Sequence, residues 1–237
     1  MKQIKIKNKL TLLFVFVLII MFLIIFINNT NVKANNTTSK IIYLDPGHGG
    51  FDGGATSNIY INNQIIIEKD ITLQVALYLK TYLERTNFKV LLTREKDIAL
   101  AKNKKQDIYK RVEIINKSDV DIYISIHANS YPHPVVKGAQ TFYNSNNIKN
   151  KQLSESIMQM LKYIDQTNNR KAKTIKDKYL TDHVKKVGCL VEIGFLSNKE
   201  ELEKLIDPSY QQQLALMIYL GILDYLEREW LICIKLK

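Results

Sequence analysis

The chain has 237 residues, which suffices for one medium-sized domain plus an additional segment but not for two ordinary enzymes. Its net charge of +11 falls to +6 without the five lysines of the first 34 residues, and its basic residues are not interleaved with stacking aromatic residues, which argues against nucleic-acid binding. Only two cysteines are present, which excludes a disulfide-framework domain.

The N-terminal segment has the layout of an export signal. Four lysines precede an apolar run over residues 10–27, and polar residues with a Val32-Lys33-Ala34 cleavage pattern follow. The run also approaches the roughly 20 residues that span a bilayer, so retention as an anchor stays open. We therefore expect residues 1–34 to be a signal peptide or membrane anchor and 35–39 a linker, with membrane contact only through this segment.

From residue 40 onwards, short apolar runs alternate with amphipathic stretches. The runs predict strands at Ile41–Asp45, Phe88–Thr93, Val120–Ile126, Gly138–Tyr143 and Val187–Ile193. The stretches predict helices over residues 69–86, 103–117 and 148–163, another from Asn198, and a last one from Pro208 to about Arg228. This alternation predicts a single α/β domain over residues 40–230, with a mostly parallel central sheet covered by helices on both faces, followed by an apolar tail over 231–237.

Four polar residues are predicted to meet at one edge of this sheet. His48 lies three residues beyond the first strand, His127 follows the third, and Glu192 lies near the end of the fifth. Glu68 begins the first long helix, after a loop that leaves the same edge. Sheets of this class carry their chemistry outside the carboxyl ends of the strands.

Two histidines and one carboxylate around an open position form a known catalytic zinc set, so we expect His48, Glu68 and His127 to bind a metal. Glu192 interrupts the apolar run CLVEIGF, where a buried carboxylate is costly unless it is paired or functional. We expect it to transfer protons during hydrolysis. Considered singly, each histidine and Glu68 is more often structural, and only the convergence of the set favours a site.

Other features have less specific interpretations. The glycine-rich GHGGFDGG lacks the residue order of phosphate-binding loops. His133 and His183 are expected to face solvent, and Cys189 to be an inert core thiol, while its pairing with Cys233 stays open. Two basic clusters, residues 102–111 and 170–178, are predicted to be solvated surfaces or a surface that attracts an anionic polymer.

Four segments then carry a family resemblance. IYLDPGHGGFDGGA, EKDITLQVALYL, SIHANS and LVEIGFLSN follow in this order between Lys40 and about Leu226, and they resemble the four blocks of the zinc-dependent N-acetylmuramoyl-L-alanine amidases. The resemblance implies that His48, Glu68 and His127 bind Zn²⁺ and that Glu192 is catalytic. It implies hydrolysis of the amide between N-acetylmuramic acid and L-alanine, on peptidoglycan glycan strands with stem peptides.

The layout of a hydrophobic segment plus one catalytic domain is most similar to the germination-specific amidases of spore-forming bacteria. That resemblance implies spore cortex processing towards muramic-δ-lactam, an activating lipoprotein as a partner, and a location in the cell wall or spore envelope. The segment RKAKTIKDKYLTDHVKK departs from it in being lysine-rich, which leaves the contacts in the substrate groove open.

Two other functions are alternatives to amidase activity for this sequence. Another zinc amidohydrolase or a carboxypeptidase acting on wall peptides would need a cation to seat a terminal carboxylate, for which Arg94 and Arg111 are candidates. A non-catalytic peptidoglycan-binding module would not need the buried Glu192, so the intact set of four residues argues against it.

Overall fold

The computed structural model describes residues 39–235. The signal or anchor predicted for residues 1–34 lies outside this range, as does the predicted linker apart from its last residue. Within the described range, no helix combines the length and the apolar character that crossing a bilayer requires.

Eight strands and six helices make up the described domain. The strands are β1 (Ile41–Pro46), β2 (Thr56–Ile61), β3 (Gln64–Ile67), β4 (Lys89–Leu92), β5 (Ile122–Asn129), β6 (Gln140–Tyr143), β7 (Lys173–Thr174) and β8 (Val187–Phe195). The helices are α1 (Glu68–Glu84), α2 (Lys104–Lys117), α3 (Ile148–Leu161), α4 (Tyr179–His183), α5 (Lys199–Leu205) and α6 (Pro208–Lys235).

The central sheet has six strands in the order β4-β1-β5-β8-β6-β7, and β2 pairs with β3 in a separate hairpin. β1 pairs in parallel with β4 and β5, and β5 in parallel with β8. β6 is antiparallel to β8. The sheet is therefore mostly parallel, as predicted, and its three central strands direct their carboxyl ends to one edge.

Alternating residues of β1 enter two different cores. Ile42 and Leu44 pack with the buried faces of α1, α3 and α6, whereas Tyr43 packs with buried residues of α2 and α4. This alternation follows from the opposite directions of successive side chains in a strand. Helices thus cover both faces, which confirms the predicted fold class.

Several boundaries differ from the predictions. His127 does not follow the third predicted strand but lies within β5, because that strand continues its ladder with β8 as far as Asn129. The last helix does not end near Arg228 but continues to Lys235, through most of the predicted tail. The hairpin β2–β3, the short strand β7 and the short helix α4 were not predicted.

A buried ionic network lies behind the loop that follows β1. Nη1 of Arg111 is 2.7 Å from Oδ1 of Asp45, and its Nε is 2.7 Å from Oδ1 of Asp107. Burial alone would raise the pKa of Asp45, but the charge of Arg111 and a hydrogen bond from Ser125 lower it below its ordinary value. Arg111 is 2% exposed, so the prediction that residues 102–111 form a solvated cluster is wrong for this residue.

Two arginines hold the backbone of this loop. Arg111 donates hydrogen bonds to the carbonyl oxygens of Pro46, at 2.8 Å, and His48, at 2.5 Å. Arg94 donates to the carbonyl oxygens of Gly47 and Lys69, both at 2.8 Å. Guanidinium groups suit this role because they present several donors in a rigid plane.

We predict that Arg111→Met destabilises the fold by about 3–5 kcal/mol, because it leaves the buried carboxylate of Asp45 without its cation. Denaturant unfolding measures this change. Lys110→Met is the matched control, since Lys110 lies on the same helix and forms only a solvent-exposed ion pair with Glu113. That control should change the free energy of unfolding by no more than about 1 kcal/mol. Equal effects of the two substitutions would contradict the structural role of the buried network.

Candidate metal centre

The loop after β1 brings His48 towards the sheet edge in a backbone conformation that few residues adopt. His48 has a φ of 61°, in the left-handed region. The loop is closed by paired backbone hydrogen bonds between Gly49 and Asp52, at 2.8 and 3.2 Å. Together with the arginine contacts to the carbonyl oxygens, these bonds fix the position of the imidazole.

Two glycines allow the side chains of the site to approach each other. A Cβ on Gly47 would lie 2.4 Å from Cε1 of His127, and one on Gly54 would lie 2.5 Å from Oε2 of Glu68. Neither position can carry a side chain without displacing a residue of the site. Gly47 and Gly54 therefore allow close packing around the two histidines.

His48, Glu68 and His127 converge as the sequence predicted. Nε2 of His48 is 3.2 Å from Oε2 of Glu68, and Nδ1 of His127 is 2.9 Å from Oε1 of the same carboxylate. One ligand atom from each residue lies within 4.8 Å of the others. Two imidazole nitrogens and one carboxylate oxygen are a donor set that suits a divalent transition metal.

Glu68 is held as a charged group at the start of α1. Glu68 is 4% exposed, and its carboxylate accepts hydrogen bonds from the backbone N–H groups of Ala55, at 2.7 Å, and Ala128, at 3.0 Å. Burial alone would raise the pKa of Glu68, but hydrogen bonds with His127 and His48 lower it strongly. A carboxylate in this state is available as a metal ligand at neutral pH.

Asp52 orients His48 and was not identified from the sequence. Its Oδ2 is 2.8 Å from Nδ1 of His48, and Lys104 lies 2.7 Å from its Oδ1. Burial opposes ionisation of Asp52, but the hydrogen bonds with Lys104 and His48 lower its pKa. An ionised Asp52 accepts a hydrogen bond from Nδ1–H of His48, so the unprotonated Nε2 is the nitrogen that can bind a metal. Its signal in the sequence was the spacing of four residues after His48 within the same loop.

Glu192, which belongs to β8, lies beside the three candidate ligands. It is the register partner of His127 on β5, and its Oε2 is buried without a hydrogen-bond partner among the described residues. Burial, reinforced by the negative charge of Glu68, raises the pKa of Glu192 to about 7. Such a carboxyl can both accept and release a proton near neutral pH.

One cavity of about 380 Å³ is lined by all four residues, His48, Glu68, His127 and Glu192. The segment around β7 and α4 contributes other residues of the lining, including Ile175, Lys178, Tyr179 and Leu180. The structure therefore places the four predicted site residues together, whereas their individual roles remain predictions.

The other sequence candidates lie elsewhere. Arg94 and Arg111 are each 2% exposed and are bonded to backbone oxygens, so neither can seat a terminal carboxylate as the carboxypeptidase alternative required. His133 and His183 are exposed, as predicted. Cys189 is fully buried in β8, and burial raises the pKa of its thiol, which agrees with an inert core residue. The side chain of Cys233 lies outside the described residues, so its pairing stays untested.

Comparisons with known proteins point to one family. A family profile described as N-acetylmuramoyl-L-alanine amidase matches residues 42–224. The chain is 42% identical over 196 residues to the germination-specific N-acetylmuramoyl-L-alanine amidase of Bacillus subtilis (strain 168), covering 79% of this chain and 80% of that protein.

Solved structures agree with this likeness. The structure of the CwlD amidase from Clostridioides difficile in complex with the GerS lipoprotein matches with a TM-score of 0.75 and 38% identity, covering 80% of this chain and 99% of that one. The N-acetylmuramoyl-L-alanine amidase AmiC2 of Nostoc punctiforme matches with a TM-score of 0.69 and 28% identity, covering 79% and 97% of the two chains.

We predict that Asp52→Ala weakens binding of a divalent transition-metal ion about 10–100-fold, because the His48 imidazole loses the carboxylate that orients it. Competition against a chromophoric chelator measures the dissociation constant. Asp119→Ala is the control, since Asp119 is an exposed acid that does not line the cavity. Unchanged affinity in the Asp52 variant would show that His48 needs no orienting partner.

A second prediction concerns the pH dependence of stability in protein stripped of metal by chelation. Because the pKa of Glu192 is raised from 4.5 to about 7 in the folded state, the folded protein holds a proton there that the unfolded chain releases. The wild type should therefore lose roughly 3 kcal/mol relative to Glu192→Gln as the pH rises through this window. Unfolding curves at pH 4.5 and pH 8 measure the difference, with Glu203→Gln on the surface as the control. Parallel pH profiles of the wild type and Glu192→Gln would be inconsistent with a raised pKa.

Proposed function

Because the chain belongs to the N-acetylmuramoyl-L-alanine amidase family, we propose that His48, Glu68 and His127 bind Zn²⁺ and that Glu192 transfers the protons of the reaction. The chain is an N-acetylmuramoyl-L-alanine amidase, a hydrolase that acts on peptidoglycan outside the cytoplasm. One observation carries the assignment of roles: three ligand atoms lie within 4.8 Å of one another beside the partly buried Glu192, whose pKa is raised.

The donor set supports a catalytic rather than a structural metal. Two imidazoles and one carboxylate leave a position open for substrate, whereas structural zinc sites have four protein ligands. When bound, Zn²⁺ would supply a Lewis acid that polarises the scissile carbonyl and lowers the pKa of a water molecule, which then loses a proton more readily and becomes a better nucleophile. The contribution of the chain is to hold the ligands, since Asp52 orients His48, and backbone N–H groups of Ala55 and Ala128 hold Glu68.

Glu192 is the proposed general base and general acid. It accepts a proton from the attacking water and then delivers that proton to the departing nitrogen of L-alanine, which would leave poorly as an anion. A pKa of about 7 suits both transfers near neutral pH. Its position opposite His127 in the register of β5 and β8 puts the carboxyl next to the candidate ligands.

We further propose spore cortex peptidoglycan as the substrate and the formation of muramic-δ-lactam as the consequence of stem-peptide removal. The likeness to the germination-specific amidase of Bacillus subtilis supports this. The similar CwlD amidase was solved in complex with the GerS lipoprotein, which supports an activating lipoprotein as a partner of this chain. The proposed location is the cell wall or spore envelope, reached by export through residues 1–34, either removed or retained as an anchor.

Digestion of purified peptidoglycan, with and without a chelator, tests the proposed function. The amidase releases intact stem peptides with new L-alanine amino termini, which mass spectrometry identifies. A carboxypeptidase would shorten stem peptides instead, and a binding module would release nothing. Activity that persists after complete removal of metal would contradict the metal-dependent mechanism.

We predict that Glu192→Gln and His127→Ala separate proton transfer from metal binding. Glu192→Gln should retain zinc and lose at least about 100-fold in kcat, because general acid–base catalysis contributes roughly 10²–10⁴-fold. His127→Ala should lose bound zinc, because one of three ligands is removed. Metal analysis by mass spectrometry and steady-state kinetics measure both quantities. Zinc loss in both variants, or in neither, would contradict the division of roles.

A further inference from the structure

We propose that Lys178 binds the free carboxylate of the stem-peptide residue that follows L-alanine, and that it thereby makes this amidase selective for acidic stem peptides. The inference rests on the proposed function, because it assigns a substrate contact to the cavity that contains the metal centre. It concerns the part of the cavity lining around Lys178, a residue to which the proposed mechanism assigns no role.

Lys178 is the only lysine or arginine among the described residues that line the cavity. The histidines and carboxylic acids that line the cavity already have assigned roles. His48, Glu68 and His127 are the candidate ligands, and Glu192 is the candidate proton carrier. The ammonium group of Lys178 is therefore the remaining charge with which the cavity can recognise a substrate.

The backbone at Lys178 is held in place. Its carbonyl oxygen accepts hydrogen bonds at 3.0 Å from the backbone N–H of Asp182 and from the hydroxyl of Thr181. Asp182 in turn accepts a hydrogen bond at 2.7 Å from Nδ2 of Asn144, which follows β6. The preceding residue, Asp177, has a φ of 61°, which sets the direction of the chain into α4. The base of the Lys178 side chain thus has a defined position on the cavity wall.

Aromatic stacking supports the same wall. The ring of Tyr179 lies 4.4 Å, between centroids, from the ring of Tyr109 on α2. It also stacks on the ring of His183, at 3.9 Å and an angle of 16°. Such contacts between aromatic rings stabilise the packing of these exposed side chains. They attach α4 to α2, so the wall that carries Lys178 is not a free loop.

No carboxylate of the described residues forms an ion pair with Lys178, in contrast to other lysines near the cavity and on the surface. Lys104 lies 2.7 Å from Asp52, and Lys137 lies 3.0 Å from Glu200. Burial raises the pKa of Glu192 and the charge of Lys178 acts to lower it, but Lys178 and Glu192 form no ion pair, so the ammonium group of Lys178 is available to an anionic ligand.

The chemistry of the substrate supplies such an anion at a suitable distance. The residue after L-alanine in a stem peptide is a glutamate joined through its side-chain carboxyl, which leaves its α-carboxylate free. This carboxylate lies within about two residue lengths, roughly 7 Å, of the scissile bond. The cavity of about 380 Å³ has room for a peptide segment of this length, and its apolar residues Ile108, Ile175 and Leu180 suit the alanine methyl group.

Synthetic glycan oligosaccharides with two kinds of stem test the proposal. One carries L-alanyl-D-glutamate, and the other carries L-alanyl-D-isoglutamine, in which the same carboxyl is an uncharged amide. We expect Lys178→Met to reduce kcat/KM for the acidic stem about three- to tenfold, through KM, because a partly exposed charged hydrogen bond is lost. On the amide stem the ratio of wild type to variant should fall to about one, and Lys178→Arg should restore most of the discrimination.

Lys176→Met is the matched control, because Lys176 is an exposed lysine of the same segment that does not line the cavity. It should not change the preference between the two stems. Equal loss by Lys178→Met on both stems, no loss on either, or the same change in Lys176→Met would overturn the assignment of Lys178. Absence of hydrolysis of either stem by the wild type would instead contradict the proposed function itself.

Discussion

The buried pairing of Asp45 with Arg111 is the interaction on which the rest of the site depends. Both residues are nearly inaccessible to solvent, and an unpaired charge at either position would be costly. The pair is tolerated because each group is also hydrogen-bonded, Asp45 by Ser125 and Arg111 by backbone oxygens of the following loop. The ion pair thereby fixes the loop that carries His48 relative to β1.

Arg94 links this loop to the helix that carries the second candidate ligand. Its guanidinium group donates to the carbonyl oxygen of Gly47 in the loop and to that of Lys69, next to Glu68 in the first turn of α1. The loop and the helix are therefore fixed relative to each other through one side chain. His127 is positioned independently by the ladder between β5 and β8. Residues distant in sequence thus form one site because three separate elements share the same rigid sheet edge.

The parts of the site that depend on a repeating pattern were predictable from the sequence, whereas those that depend on tertiary pairing were not. Alternating strands and helices predicted the sheet, and its carboxyl edge predicted the meeting of His48, His127 and Glu192. Arg111 lies among lysines and was assigned to a solvated cluster, because no local feature shows that Asp45 lies opposite it. The sequence of β6 does not indicate that this strand pairs antiparallel with β8. Asp52 was overlooked because an acid in a glycine-rich loop has many ordinary explanations.

The two carboxyl groups of the cavity show how environment separates chemical roles. Glu68 is surrounded by donors, namely two imidazoles and two backbone N–H groups, and these outweigh the effect of burial on its pKa. Glu192 is partly buried, and its Oε2 has no hydrogen-bond partner among the described residues, so its pKa is raised to about 7. Because their surroundings shift the two pKa values in opposite directions, Glu68 stays an anion near neutral pH, whereas Glu192 can take up and release a proton. The segment around β7 and α4, which includes the lysine-rich departure from the family pattern, forms another part of the cavity lining, and among the described residues no hydrogen bond or ion pair joins it to Arg94 or Arg111. Substitutions in that segment can therefore alter substrate recognition while the frame that holds His48 and Glu68 stays unchanged.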